Sequence, residues 1–493
     1  MQHTLTTLTA FTSLVLQLAV AYDPANIAVQ LTSSSIGLSP GTHIFFPTDQ
    51  NWTTETTQRY TVHDAPGYIA SIKPALESDV QKIVAFCSTN HIPFLATGGG
   101  HGFATTFGKL QNGIEIDLGF FRSVSVNTTA STMTIGGAVI FNDIFEPLYN
   151  AGKEIQTGSS PCVGMVGATL GGGVGRYNGL HGMIVDALLS VRIITGTGEL
   201  VTASETENSD LFWGIRGAGM NYGIILSATY QAYDLTSSQV MNADIDLPLN
   251  SSGKLMEYLK SYENTLPAKL SIILRSTYAE ENGGAYITIN AVYAGPLSEG
   301  TALIQPILSA NPIRQNITMV PWGSYINATF WGAGQFGCPK RFNANVYGGS
   351  VKTYDIPTFQ KFFSDWNGFL KANPAAQEQS VFFIETFPTQ AVRAVPDNTT
   401  AYPHRDITAH LLFNFGYPVN DTATNNAANA FGVQSRSNFA VTSGFDGLQV
   451  YVSYGHGDEG AVPLYGERKL PRLMALKKRW DPQNFFRYDE PLV

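Results

Sequence analysis

The stretch Ile92-Pro93-Phe94-Leu95-Ala96-Thr97-Gly98-Gly99-Gly100-His101-Gly102-Phe103 decides how this chain folds. An apolar run ends at Thr97, three glycines follow, and His101 stands before a fourth. Glycine has no Cβ, so this backbone can turn sharply and come close to a ligand. Successive N–H groups in such a turn form a concave site for an anion such as a pyrophosphate. Upstream, Glu77–Cys87 has helical spacing, with Val80, Ile83, Val84 and Cys87 on one face. Pro93 then opens a short strand that delivers the turn. Strand followed by glycine turn is the order a phosphate-binding loop requires.

A second glycine cluster follows: Gly158-Ser159-Ser160-Pro161-Cys162-Val163-Gly164-Met165-Val166-Gly167-Ala168-Thr169-Leu170-Gly171-Gly172-Gly173-Val174-Gly175. Beyond it come Gly182, Asp186 and the run Asp210–Gly219. Gly171–Gly175 fits the dinucleotide fingerprint Gly-x-Gly-x-x-Gly poorly, and no acidic residue follows in a clear βαβ unit. Taken in order, these motifs resemble the FAD-linked oxidases of the vanillyl-alcohol oxidase superfamily, in its berberine-bridge-enzyme-like branch. The resemblance covers roughly residues 60–232 and 445–490.

That resemblance implies an α+β architecture. A two-subdomain FAD-binding domain would be joined to a substrate domain whose antiparallel sheet is covered by helices. The expected boundaries are a signal peptide at 1–21, an N-terminal segment at 22–60, the FAD-binding domain at 61–235, the substrate domain at 236–450 and a returning segment at 451–493. FAD is expected to lie against Thr97, Gly98, Gly99, Gly100, His101, Gly102, Ser160, Val163, Gly164, Gly167, Gly171, Gly172, Gly173, Gly175 and Asn484. His101 occupies the family position where the imidazole is joined to the flavin 8α-methyl group, which needs an unprotonated ring nitrogen. Many relatives carry Arg-Ser-Gly-Gly-His there. This chain has Thr97-Gly98-Gly99-Gly100-His101 and so lacks the arginine.

Bicovalent relatives read Cys-x-x-Val-Gly, with the cysteine bonded to flavin C6. Aligned on Val163-Gly164, this chain has Ser160 at that position and Cys162 two residues later, so His101 alone is expected to be covalent. The rival is a slipped loop in which Cys162 reaches the ring. Val163 matches the position that gates oxygen. Relatives also carry Tyr-x-Asn-Tyr near the substrate. Here Tyr451-Val452-Ser453-Tyr454 stands there, with Tyr454 the expected proton acceptor and Tyr451 its companion. On a strand the two tyrosines would face opposite sides. A buried cation would lower the phenol pKa, and His456 and Asp458 stand close enough in sequence to assist. Asn484 comes from a C-terminal Asp-Pro-x-Asn-x-Phe segment.

The implied reaction is hydride transfer from a small organic substrate to flavin N5, with O₂ reoxidising the flavin to give H₂O₂. A secondary metabolite is the first substrate class and a carbohydrate the second, against which Ser160 argues. A third reading is a flavin-binding or non-redox cyclase role.

Length and composition set the frame. A chain of 493 residues exceeds one ordinary core, so two domains are expected. Hydrophobic residues at 44% and charged residues at 14% exclude a disordered chain. Net charge is −9 and no basic cluster occurs, which argues against nucleic acid and anionic membranes as partners. The expected partners are a small-molecule substrate and O₂, and the expected state is a monomer. Residues 4–21 end in Ala19-Val20-Ala21, a cleavage pattern typical of export. Sequons at Asn51, Asn127, Asn250, Asn316, Asn327, Asn398 and Asn420 agree with a secreted glycoprotein. Cys87, Cys162 and Cys338 allow one bridge at most, of unassigned pairing, and no Cys/His spacing suggests a metal.

Alternation marks strands at Ile114–Leu118, Met133–Ala138, Gly223–Tyr230, Leu270–Leu274, Ala285–Tyr293, Val381–Glu385 and His410–Phe415. A hairpin is expected around Gly196–Gly198. Helical stretches are expected at Asn142–Asn150, Leu255–Tyr262 and Thr358–Leu370.

Overall fold

The computed structural model describes residues 24–33 and 36–493. The expected signal segment lies outside the described residues.

Three larger sheets and one two-stranded sheet organise the described residues. The first contains β1 (His43–Phe45), β2 (Tyr68–Lys73), β3 (Phe94–Thr97) and β4 (Gly113–Asp117), in the order β1-β2-β4-β3. β4 lies parallel to both β2 and β3, and β1 is antiparallel to β2. The helix Glu77–Thr89 packs its expected face on this sheet, burying Val80, Ile83, Val84 and Cys87 against Ile72, Phe94, Ile114 and Ile116. The N-terminal helix Pro24–Thr32 adds Ile27 and Leu31 to the same core.

The next seven strands are β5 (Val124–Asn127), β6 (Thr132–Gly136), β7 (Lys153–Glu154), β8 (Leu188–Thr195), β9 (Leu200–Ser204), β10 (Gly223–Gln231) and β11 (Tyr233–Asp234). Five of them form an antiparallel sheet in the order β5-β6-β10-β8-β9, while β7 pairs with β11. The β8–β9 pair is the expected hairpin. The helices Phe141–Asn150, Ser209–Ala218 and Leu470–Trp480 fill one core with this sheet. Leu473, Leu476 and Trp480 bring the C-terminal run into that core. Phe485 and Phe486 then reach across to Phe94 in the first sheet. The returning segment thus joins two sheets that the glycine loops also join.

The third sheet is wholly antiparallel and has seven strands: β12 (Gln239–Pro248), β13 (Leu270–Ala279), β14 (Gly284–Tyr293), β15 (Arg314–Pro321), β16 (Ala344–Val351), β17 (Val381–Thr386) and β18 (Ala409–Gly416). Their order is β15-β12-β14-β13-β17-β18-β16. Side chains alternate across a sheet, so each strand presents two faces. Ile272, Leu274, Phe382, Ile384, Leu411, Phe413 and Phe415 face one way. There they meet Leu255, Phe359, Phe362, Phe363, Trp366 and Phe439 from the helices Ser252–Ser261, Ile356–Ala372 and Thr422–Thr442. The two longer helices are capped as their sequences suggest. The Asp355 carboxylate accepts from Thr358 N–H at 3.0 Å, and that of Asp421 from Thr424 N–H at 3.0 Å. The residues between those core positions face the other way, toward the glycine loops.

Candidate active site

The two glycine loops touch backbone to backbone. A Cβ added to Gly99 would lie 2.7 Å from Gly164 N, and one added to Gly164 would lie 3.0 Å from Gly99 N. Beneath this junction runs a cavity of about 370 Å³. Thr97, Gly98, Gly99, Gly100, His101, Gly102, Ser160, Val163, Gly164 and Gly167 all line it, as expected from the sequence. Among the described residues, none of the five N–H groups from Gly98 to Gly102 donates to a protein acceptor. Ser160 Oγ is buried and likewise has no partner.

The first loop is short of an arginine in its own sequence, but cations come from elsewhere. The Arg59 guanidinium donates to Gly102 O at 2.9 Å and lies 4.0 Å over the Phe107 ring. Lys340 Nζ donates to Gly99 O at 2.6 Å. Burial, with the Arg59 charge nearby, pushes the Lys340 ammonium down to about 8.

His101 is clamped. Its ring stacks on Tyr60 with centroids 4.5 Å apart and an interplanar angle of 11°. Tyr60 OH in turn accepts from Asn414 at 3.3 Å. His101 Nε2 lies 3.0 Å from Gly337 O. A carbonyl only accepts, so Nε2 carries the hydrogen and Nδ1 the lone pair. Burial, then the Lys340 charge, pushes the imidazole pKa down to about 4, so the ring is neutral at neutral pH.

Gly337 belongs to a segment that covers the cavity. Phe330 and Trp331 both hold positive φ, 54° and 64°, which bulky residues rarely adopt. Two carboxylates of β12 keep them there: Phe330 N–H donates to Asp244 at 2.8 Å and Trp331 Nε1 to Asp246 at 3.1 Å. The far end is fixed by a Cys162–Cys338 disulfide with Cα atoms 5.3 Å apart. This settles the pairing left open by the sequence. It also excludes the slipped-loop reading, since the Cys162 sulfur is already bonded. Cys87 is free and buried. The bridge closes a separation of 176 residues. Replacing Cys338 by Ser is expected to lower stability by about 2–4 kcal/mol, read as a drop in melting temperature relative to the oxidised wild type.

The third sheet roofs the cavity with Ile273, Arg275, Val346, Val381, Phe383, Glu385, Leu412 and Asn414. The tyrosines approach from one side. Val452–Tyr454 is a 3₁₀ turn, not the expected strand. Three residues make one 3₁₀ turn, so Tyr451 and Tyr454 lie on the same side. Their centroids are 4.9 Å apart, and both line the cavity. Tyr451 OH accepts from Gly173 N–H at 3.0 Å. Tyr454 OH donates to Glu385 at 2.6 Å, and Ser159 Oγ donates to the other oxygen of that carboxylate at 2.6 Å.

This pairing corrects the expected chemistry. Tyr454 meets a carboxylate, not a cation, and burial together with Glu385 holds its phenol well above the ordinary value. Burial also raises the Glu385 carboxyl, against the hydrogen bonds from Ser159 and Tyr454. His456 and Asp458 do not join the pair. The His456 ring stacks on Tyr347 at 3.8 Å, and Asp458 is held by Arg436.

Comparison with known proteins follows this geometry. A model of the FAD binding domain matches residues 69–204, and one described as berberine and berberine like matches 450–492. The chain is 43% identical over 446 residues to the FAD-linked oxidoreductase azaL of Aspergillus niger, covering 90% of this chain and 94% of that protein. It belongs to the berberine-bridge-enzyme-like FAD-linked oxidoreductases. The FAD-linked oxidoreductase tazG of Aspergillus terreus is 40% identical over 485 residues, spanning 97% and 98% of the two chains. Among solved structures, wild-type BBE-like 1 of Physcomitrella patens superposes with a TM-score of 0.80 at 22% identity, over 92% and 97% of the chains. A chitooligosaccharide oxidase gives 0.78 at 20% identity, over 95% and 99%.

The residues of the oxidoreductase fit FAD. Five unpartnered N–H groups, four of them on glycines, form a cradle that suits a pyrophosphate, with Arg59 and Lys340 nearby. The remaining sequence-expected residues lie elsewhere. Gly171, Gly172, Gly173 and Gly175 do not line the cavity. They allow close packing: Gly172 and Gly173 have φ of 126° and 82°, and a Cβ on Gly171 would collide with Ser453. Asn484 does not line the cavity either. It closes the turn after the last long helix with φ 53° and donates its N–H to Asp481 O. Asp489 and Glu490, just beyond, do line it. Burial raises Asp489 to about 6, and burial with Glu459 holds the Glu490 carboxyl well above its ordinary value. Glu385, Arg59, Lys340, Asp489 and Glu490 carried no sequence motif. For Glu385 the available signal was an acidic residue at the end of a strand that alternation marked.

Proposed function

We propose that this protein is a secreted oxidase with FAD joined covalently to His101, acting on a small organic substrate of the secondary-metabolite kind. The carrying observation is that one cavity holds a neutral, clamped imidazole against one wall and the Tyr454–Glu385 pair in another. Bound there, FAD supplies the hydride acceptor and, once reduced, the electron donor that converts O₂ to H₂O₂. His101 Nδ1 is the lone pair available for attachment, and Ser160 has no thiol to add a second bond.

Glu385 is the proton acceptor. As the substrate loses hydride from carbon, its hydroxyl proton passes to Tyr454 oxygen while the Tyr454 proton passes to the Glu385 carboxylate. The phenol stays neutral throughout, which its raised pKa favours. Val163 lines the cavity in the oxygen-gate position.

Residues 61–235 with 451–493 form the FAD-binding domain in this reading, and 236–450 the substrate domain. Export is supported by the disulfide, which suits an oxidising compartment, and by the exposure of Asn51, Asn127, Asn250, Asn316, Asn398 and Asn420. No helix among the described residues is long and apolar enough to cross a membrane. The protein acts as a monomer.

The test is to reduce the enzyme with dithionite, admit air and follow the flavin absorbance. Recovery within seconds, with peroxide formed on an aromatic-alcohol panel and not on a sugar panel, is expected. Slow recovery, with substrate converted in the absence of peroxide, would move the assignment to the non-redox role.

A further inference from the structure

Arg275 lies in β13 on the roof face, two residues from Ile273 and across from Phe383 in the β13–β17 register. Its guanidinium sits 4.8 Å over the Phe330 ring. Among the described residues no hydrogen bond or ion pair reaches it, and its Nε is buried without a partner. The nearby carboxylates are committed elsewhere. Asp244 accepts from Asn242 at 3.0 Å, Asn290 at 2.7 Å and Phe330 N–H at 2.8 Å. Asp246 accepts from Thr288 at 2.7 Å, Arg314 at 2.5 Å and Trp331 at 3.1 Å. A buried Nε with no partner is costly unless something else completes it, and no protein group uses the rest of the fork.

We propose that Arg275 binds an oxyanion on the substrate, a carboxylate or an ionised ring hydroxyl carried by a flat, otherwise apolar molecule. The planar guanidinium fork matches a delocalised oxyanion in two parallel hydrogen bonds. The rest of the lining around Arg275 suits a flat apolar body: Ile273, Phe330, Phe383 and Leu412 are its neighbours. A sugar ring would need a hydrogen-bond partner for each hydroxyl. The polar groups on the roof are few: Glu385 is engaged with Tyr454 and Ser159, and Asn414 gives its N–H to Tyr60, which leaves its Oδ1 as a lone acceptor. Ile273 lies directly across from Glu385, which makes Arg275 and Glu385 diagonal neighbours, about 7–8 Å apart. The anion therefore binds roughly one aromatic ring away from the bond that is oxidised.

This inference rests on reading the cavity as the substrate site of the oxidase, but its test reads binding alone. The flavin-loaded wild type is titrated with cinnamate, with pentafluorophenolate and with neutral methyl cinnamate, following the flavin absorbance. At least one anion is expected to bind about tenfold or more tighter than the ester. Preference for cinnamate identifies a carboxylate, and preference for the phenolate an ionised hydroxyl. Arg275→Gln is expected to erase the preference while leaving ester binding within about twofold, and Arg275→Lys to restore part of it. Equal binding of acid and ester by the wild type, no spectral response to either anion, or a preference kept by Arg275→Gln would each overturn the assignment. The wild-type comparison stands even where a variant fails to fold. Failure of air reoxidation would remove the oxidase reading and leave this result intact.

Discussion

Replacing His101 by Ala is expected to release the flavin. Acid precipitation of the wild type should leave a yellow pellet and an intact mass increased by one FAD. The variant should give a colourless pellet, flavin in the supernatant and the unmodified mass. The reason lies in the clamp. Tyr60 fixes the ring plane, Gly337 O fixes the hydrogen on Nε2, and burial lowers the imidazole pKa to about 4, so the ring is neutral near pH 7. Alanine keeps the loop and removes the nucleophile. Replacing Cys162 and Cys338 together by Ser should leave the flavin attached, since neither sulfur is available to the ring. A wild type whose flavin washes out in acid would refute covalent attachment. Retention by His101→Ala would show a second link that the geometry does not provide.

Glu385→Gln is expected to slow flavin reduction by substrate by about 10²–10⁴-fold, the usual contribution of a positioned base. Glutamine keeps the size, and its one carbonyl oxygen still accepts from one of the two hydroxyls, but its amide nitrogen faces the other as a donor and cannot take up the proton. Flavin content and reoxidation in air should be unchanged, because neither uses this carboxylate. Stopped-flow measurement of the two half-reactions separates these effects. The pH dependence has a definite sign. Only the ionised carboxylate accepts a proton, and burial moves its pKa up from the ordinary carboxylate range. Wild-type kcat/KM should therefore rise with pH through a value above that range and then level off. The variant should lose this limb. Equal loss in both half-reactions would mean that Glu385 serves the fold and not the proton.

The glycine loops were legible in the sequence because their chemistry is local. A strand that ends in consecutive glycines has few uses, and His101 sits inside the turn it creates. The strands of the third sheet at Leu270–Leu274, Ala285–Tyr293, Val381–Glu385 and His410–Phe415 were legible by alternation. The tyrosines were not. Three residues of spacing point to opposite sides on a strand and to the same side in a 3₁₀ turn, and Tyr451-Val452-Ser453-Tyr454 does not declare which it is. Glu385 was hidden because the group it pairs with is 69 residues away in sequence. The cations at the first loop, Arg59 and Lys340, come from 43 and 241 residues away from their acceptors. Asn484 is a motif residue that the fold places in a turn outside the cavity, with its buried side-chain oxygen left without a partner.

The two faces of the roof answer to different demands. Phe382, Ile384, Leu411 and Phe413 are wedged against three helices, where shortening a side chain leaves a void in a close-packed interior. Arg275, Phe383 and Leu412 stand on the opposite face of β13, β17 and β18 and border space that is already open. Trimming or exchanging them changes the shape of that space without emptying a core. The protein can therefore drift in what it accepts while its foldedness stays untouched. Divergence among its relatives would then concentrate on every second residue of β13, β17 and β18, leaving the intervening positions still.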